Sequence, residues 1–344
     1  MVSAGVAWRV VGLEEAAARW DEWLSAFEDR HLRQTFAWGR HKAGSWTVEH
    51  TALLNGPTPM ALGLCLTRAL PLGAATVAWL NGGPVFRRKR PRDQDLASLE
   101  KYLEGLQEHL APRRPMLRVS PAIAMDLDVQ LALRQAGFAR PLAPISSGLT
   151  YILDLALPLE ELHARLERNW RNQLRAAEKA GAELAWGRAP ELLERYLPLH
   201  NALVERKGLA GQRLSAEDLR GLVDTLGERI TFVVLSVGGE DGCGGAVWTC
   251  GDRAWMGLSA ANALGLKHNL PNLMYWRLVE RLKASGARSF DLTGIDPKEN
   301  WGVFNFKRGL RAAPVEQVGE WDWSPSDWRR RAFNLALWAR GGDL

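Results

Sequence analysis

One order of hydrophobic patterns occurs twice along this chain, and that repetition constrains its fold more than any single motif. In the first half, residues 51–54, a turn at Asn55-Gly56-Pro57, residues 60–66 and residues 75–80 read as β-structure. A helix follows, with Leu96, Leu99, Leu103, Leu106 and Leu110 recurring at three- and four-residue steps. Residues 115–119 then form a short strand, and after Pro121 a second helix ends near Gly137. The second half repeats this. Residues 230–237 are an apolar, β-branched run, as in a buried strand. Gly238-Gly239-Glu240-Asp241-Gly242 is a turn, residues 244–250 a strand, Gly251-Asp252 a tight turn and residues 253–259 a third strand. A helix opens at Pro271 and stops at Gly286, and residues 288–293 return to a strand. Each half is expected to close with one further element, residues 133–138 in the first and 306–310 in the second. A chain of 344 residues has room for two such domains. Their expected bounds are 1–148 plus 317–344, and 149–316.

Between the halves, residues 159–181 predict one long helix. Leu159, Leu162, Leu166, Trp170, Leu174 and Ala177 make an apolar stripe, and Glu160 and Glu161 favour the positive end of the helix dipole. Arg165, Arg168, Arg171, Arg175 and Lys179 form a second stripe beside it. Such a row is either a solvated face or a surface for nucleic-acid phosphates.

The balance of 44 Lys+Arg against 39 Asp+Glu is mildly basic and suits an anionic partner. Three cysteines with no CxxC spacing exclude a disulfide framework and a zinc ribbon. The N-terminus lacks the basic lead of a signal peptide, and no apolar run reaches the roughly 20 residues of a membrane span, so a cytoplasmic protein is expected. Residues 87–90, Arg-Arg-Lys-Arg, are a compact basic run. Near the C-terminus Trp321, Trp323, Trp328 and Trp338 gather around Arg329, Arg330 and Arg331. That segment either docks back on the core or lies at a membrane surface.

Three antiparallel strands, a helix and a following strand is the pattern of GNAT acyltransferase domains, so the expected class is α/β with two GNAT-like domains in tandem. A coenzyme A enzyme of that class holds pyrophosphate on a glycine-rich loop before its helix. Here that stretch is Gly265-Leu-Lys-His-Asn-Leu-Pro271, with no Gly-x-Gly and with one backbone donor removed by proline.

Several pieces together resemble the Fem family, the aminoacyl-tRNA-dependent transferases that build peptidoglycan bridges. They are Gln34-Thr-Phe-Ala-Trp38-Gly-Arg-His-Lys42, Asn81-Gly-Gly-Pro84-Val85, Asn169-Trp-Arg-Asn-Gln-Leu-Arg175-Ala-Ala-Glu-Lys179-Ala-Gly181, Tyr275-Trp276, Phe290-Asp291-Leu-Thr-Gly294 and Phe306-Lys307-Arg-Gly309. The resemblance implies the tandem fold with the C-terminal segment returning to the first domain, and a monomer. It implies aminoacyl-tRNA as donor and a UDP-linked or lipid-linked muropeptide as acceptor; peripheral membrane contact is a separate expectation, from the tryptophans and arginines of the C-terminal segment. Lys42 and Arg213 would hold the precursor's diphosphate, with Trp38 and Tyr275 beside the substrate. Lys307, next to Phe306, would stabilise charge on the transferred carbonyl. Arg168, Arg171, Arg175 and Lys179 would meet the tRNA. The ester donor is already activated, so neither metal nor cofactor is expected. Asp291 or Asp296 is a candidate proton relay, and Asp291 is otherwise a cap on the turn at Thr293-Gly294. The chain departs from the family pattern at Ser120, where an acidic residue is common, and near Arg213, where a tyrosine is common. Two other readings remain: an acyl-coenzyme A or acyl-carrier N-acyltransferase of envelope synthesis, and a duplicated GNAT scaffold that binds without chemistry.

Overall fold

The structure, a computed structural model, describes residues 5–70, 75–89, 94–208 and 210–339. Two compact units emerge: Met1–Gly148 with Glu316–Leu344, and Leu149–Val315. The first contains β1 (Val6–Val11), α1 (Leu13–Ser25), α2 (Phe36–Lys42), β2 (Thr47–Asn55), β3 (Thr58–Ala69), β4 (Thr76–Gly82), α3 (Asp95–Leu110), β5 (Pro115–Pro121) and α4 (Leu127–Gln135). The second contains β6 (Leu149–Asp154), α5 (Leu159–Arg165), α6 (Arg168–Lys179), β7 (Glu183–Gly187), α7 (Pro190–Arg206), α8 (Ala216–Leu226) and β8 (Ile230–Val237). It continues through β9 (Glu240–Cys250), β10 (Arg253–Ala261), α9 (Ala263–Lys267), α10 (Leu270–Ala284), β11 (Ser289–Asp291), α11 (Trp301–Arg308) and β12 (Ala313–Glu316). The chain then returns to the first unit as β13 (Trp321–Trp323) and α12 (Asp327–Ala339).

The repeat read from the sequence is also a repeat of topology. One sheet runs β1-β2-β3-β4-β5-β13 and the other β12-β6-β11-β10-β9-β8-β7. In each, an antiparallel meander ends in a strand that pairs parallel with the next, β4 with β5 and β10 with β11. Helices α3 and α10 make the two crossovers, because parallel neighbours need a long connection. Leu99, Tyr102, Leu103, Leu106 and Leu110 are the buried face of α3. Each such leucine contributes roughly 1.5–3 kcal/mol by leaving water. The Tyr102 hydroxyl meets Thr51 Oγ1 at 2.6 Å in a space that Gly63 leaves open; a Cβ there would lie 1.8 Å from that hydroxyl.

Two expectations are corrected. Residues 133–138 and 306–310, expected to close each half, add no strand to either sheet: they are the C-terminal ends of α4 and α11 with their turns. Beyond the parallel pairs the first sheet ends in β13, antiparallel to β5, and the second continues through β6, antiparallel to β11, to β12. The long helix of residues 159–181 is broken, because Leu166 and Glu167 adopt extended angles (ψ 144° at both). The break lets Glu167 N donate to Gly309 O at 3.0 Å and its carboxylate face Arg311 at 3.2 Å, while Leu162, Leu166, Trp170, Leu174 and Ala177 all stay buried. Finally, β1 and β7, half-exposed strands paired to β2 and β8, carry too mixed a pattern to be read from sequence.

Cys65, Cys243 and Cys250 are buried free thiols, and burial pushes the Cys65 and Cys243 thiols up. Arg87 pairs with Asp126; Arg90 of the basic run lies outside the described residues.

Candidate active site

In the second unit, the turn after β11 sets the geometry. Asp291 Oδ1 accepts from Thr293 N at 2.7 Å and from the Thr150 hydroxyl. Thr293 Oγ1 donates to Met256 O at 3.0 Å. These bonds hold Thr293 at φ 60°, a conformation that a threonine adopts only when its surroundings impose it. The turn presents two successive carbonyls to Lys307 of α11, whose Nζ donates to Thr293 O and Gly294 O, each at 3.0 Å. Lys307 is buried, and burial pushes its ammonium down to about 8, with Lys207 adding to the fall and Asp291 opposing it. Burial raises the Asp291 carboxyl against the pull of its hydrogen bonds to Thr150 and Thr293. The capping reading of Asp291 is therefore the one its contacts display. Asp296 is spent on capping Lys298 N and Glu299 N, at 2.8 and 2.9 Å.

The residue before Lys307 lies among aromatic rings. Phe306 meets Tyr275 edge-on at 5.0 Å and lies 6.0 Å from Trp170. Tyr275 is buried on α10 and its hydroxyl is raised by that burial. Trp170 belongs to α6, and the bond from Glu167 N to Gly309 O ties the start of α6 to the end of α11. Arg168, Arg175 and Lys179 are exposed along α6, whereas Arg171 is half-buried and donates to Ala164 O at 2.6 Å, closing the end of α5. Arg165 falls on α5 and pairs with Glu161. The basic row is thus four residues on one short helix.

The loop ahead of α10 closes on itself. Asn262 Oδ1 accepts from Gly265 N at 3.0 Å, and Asn262 N and Nδ2 donate to Gly242 O and Asp241 O. The amides of His268 and Asn269 donate to Leu264 O and Leu266 O. Gly265 is a packing glycine, since a Cβ there would sit 2.0 Å from Gly242 O. Backbone donors of the kind that cradle pyrophosphate are used inside the loop instead.

Arg213 is exposed between two clamped neighbours. His200 Nε2 bonds Gln212 O at 3.0 Å, and the Asn201 side chain makes paired bonds with Leu214, to its O at 2.9 Å and from its N at 3.1 Å. Both clamps come from α7, and neither is signalled by the sequence.

In the first unit, Thr35 caps α2, which ends at Lys42. Lys42 Nζ lies 5.1 Å from the Trp38 ring centroid, and the Arg33 guanidinium lies over the same ring at 5.9 Å. Burial, then Arg33 and Arg68, pushes the Lys42 ammonium down. Arg68 packs on Trp46 at 4.3 Å and donates to Ser45 O. Arg33 and Arg68 belong to a cationic cluster of which sequence reading found only Lys42; Arg33 stood one residue before the recognised stretch, and Arg68 arrives only by strand pairing. Gln34 is buried and joins the motif to the glycine-proline turn: its amide donates to Asn81 O at 2.9 Å and accepts from Leu64 N at 2.7 Å. Ser120 accepts from Gly82 N at 3.2 Å, so this departure from the family pattern has a structural duty. Among the described residues, no three His, Cys, Asp or Glu side chains gather as metal ligands.

These features define a pair of GNAT-like units in tandem, and residues 164–308 match the family model described as an acetyltransferase (GNAT) domain. The fold is similar to the crystal structure of FemX, with TM-score 0.80 and 14% identity, covering 95% of this chain and 100% of that one. It is also similar to the C-terminal domain of a putative lysylphosphatidylglycerol synthetase from Agrobacterium fabrum (TM-score 0.56, 14% identity, 94% and 98% covered). A third likeness is to a tandem GNAT protein from the clavulanic acid biosynthesis pathway (TM-score 0.55, 14% identity, 94% and 100% covered). No curated protein matches the sequence. No helix among the described residues is long and apolar enough to cross a membrane.

Proposed function

We propose that this chain is a cytoplasmic, monomeric aminoacyltransferase. It moves an aminoacyl group from charged tRNA to a primary amine on the peptide of a peptidoglycan precursor, UDP-linked or lipid-linked. The observation that carries this reading is the buried Lys307, pinned by two carbonyls on a helix whose preceding residue, Phe306, packs on Tyr275 and on Trp170 of the basic helix α6. An ammonium has three donors. Two are held by Thr293 and Gly294, which leaves one for the carbonyl oxygen of the ester. The amine nitrogen attacks the ester carbon, the C–N bond forms, the C–O bond to the ribose breaks, and the amine's proton leaves with the ribose oxygen. Lys307 stabilises the oxyanion between these events, and the turn capped by Asp291 keeps it aimed.

In this reading the first unit, 1–148 plus 317–344, binds the precursor. Lys42, with Arg33 and Arg68, meets the diphosphate beside Trp38, and in the second unit Arg213 is the candidate phosphate contact. The second unit, 149–316, handles the donor. The acyl-coenzyme A reading draws on the acetyltransferase-domain match, but ahead of α10 the amides of Gly265, Leu266, His268 and Asn269 are already bonded within residues 262–269.

The test is transfer of label from radiolabelled aminoacyl-tRNA pools to a UDP-linked muropeptide. Wild-type protein transfers label, and Lys307→Ala slows it by about 10²–10³-fold with little change in KM. No transfer from any pool, together with a rise in Tm on adding coenzyme A, overturns the proposal in favour of the acyl-coenzyme A reading.

A further inference from the structure

Helix α12 docks on its own unit by one side only. Asn334 and Leu337 are buried, and the Asn334 amide donates to Asp322 Oδ2 at 2.8 Å while its oxygen accepts from Leu142 N at 2.9 Å. At 100° per residue, Trp328, Ala332, Leu335 and Ala339 fall within about 40° of a single line on the opposite side. Trp338 widens that face on the flank nearer Asn334. Trp328, Leu335 and Trp338 are 68%, 58% and 66% exposed. Leu142, fastened by its backbone to Asn334, is 67% exposed as well. The charge around this face is net basic: the Arg329 guanidinium lies 5.4 Å from the Trp328 ring centroid, and Arg330 and Arg331 share the single acid Asp327.

We propose that this face of α12 lies in the surface of an anionic lipid bilayer. Indole rings beside arginines match the acyl-headgroup boundary, where the ring is half in hydrocarbon and the guanidinium meets phosphate. A helix of 13 residues is too short to span a bilayer, which needs about 20, so it rests in the plane. The three large side chains expose on the order of 400–500 Å². That matches the largest apolar patch of a typical monomer, about 300–600 Å², which is often functional. It is also below the roughly 800 Å² per partner of a stable protein interface. Basic borders repel a second copy of the same face and attract phosphate headgroups. Binding through α12 leaves the cluster around Lys42 and the turn around Lys307 unaltered, so the inference does not rest on the proposed reaction.

The experiment is co-sedimentation of the full chain with vesicles of phosphatidylglycerol and phosphatidylcholine in equal parts, and with vesicles of phosphatidylcholine alone. Analytical ultracentrifugation without lipid runs alongside. Wild-type protein is expected on the anionic vesicles, with binding weakened at 0.5 M salt by screening, about 3 Å at 1 M against 10 Å at 0.1 M. The combined variant Trp328→Ser, Leu335→Ser, Trp338→Ser is expected to lose binding by on the order of tenfold or more. Its Tm is expected to be unchanged, because all three side chains are exposed. Arg329→Glu is expected to weaken binding to anionic vesicles alone. Equal binding to both vesicle types, equal binding by the combined variant, or no vesicle binding overturns the proposal. Self-association that disappears in the combined variant assigns the face to a second copy and overturns it too.

Discussion

The chemistry proposed here depends on the charge of one lysine. Burial lowers the Lys307 ammonium to about 8 from 10.5, so the group is mostly cationic at neutral pH and loses its charge just above it. An oxyanion is stabilised by the cation only. We therefore expect kcat/KM for aminoacyl transfer to fall as pH rises through about 8, and Lys307→Arg, which stays charged, to remove that limb even if its rate is lower. Unfolding does not mimic the effect. The unfolded chain binds more protons at this group between pH 8 and 10.5, so its contribution to stability rises with pH across that window. A flat wild-type profile across that window would remove Lys307 from the mechanism. Thr293 is the second residue on which the site turns. Its left-handed backbone is held by Asp291 and by Met256 O, and without it the two carbonyls would not converge on Nζ.

Among the elements, α6 depends most on its context. Its apolar stripe, from Trp170 to Ala177, faces the core of the second unit, and its exposed side carries Arg168, Arg175 and Lys179. The break before it matters more than its length. A continuous helix would keep Glu167 N inside the helical ladder, whereas the break gives that amide to Gly309 O and anchors the basic face beside Phe306 and Lys307. Replacing Arg168, Arg175 and Lys179 with Glu is expected to weaken tRNA binding. It should also flatten the slope of log Kobs against log salt by about 2–3, close to one unit per lost phosphate contact. Filter binding across a salt series measures both. An unchanged slope would make the row a solvated face. Helix α9 and its loop make a contrasting case, because Gly265 serves close packing against Gly242.

At the level of the whole molecule, each sheet carries a strand beyond its parallel pair, and the two strands have different origins. The second unit uses its own first strand, β6, with β12 beyond it, and the first takes β13 from the C-terminal segment. Buried charges lock β13 in place. Arg118 of β5 binds Asp322 through Nε at 2.6 Å and Nη2 at 2.8 Å, and Glu320 through Nη1 at 2.8 Å. Glu320 in turn accepts from Ile145 N and Ser146 N, and Asn334 completes the shell of Asp322. Arg118→Ala leaves two buried carboxylates without their cation. We expect it to destabilise the first unit by about 3–5 kcal/mol, read from denaturant melts that follow the fluorescence of the buried Trp321. A loss below about 1 kcal/mol would mean that solvent reaches the cluster.

The amino-acid sequence by itself determined the duplicated order of strands and helices, the crossovers α3 and α10, the buried cysteines and the candidate status of Lys42 and Lys307. The elements follow from periodicity and turn chemistry, which act within about one element's length, and the candidate status of the two lysines follows from the resemblance to the Fem family. It also held both readings of Asp291, of which the contacts display the cap. The tertiary structure alone decided that residues 159–181 bend at Leu166 and Glu167, and that Arg33 and Arg68 join Lys42. It decided too that His200 and Asn201 clamp the backbone on either side of Arg213, and that β13 rather than residues 133–138 closes the first sheet. Each of these rests on a bond or a charge whose partner is remote in sequence, as with Glu167 and Gly309 or Arg118 and Asp322. Local propensity holds no record of a partner that only folding brings near.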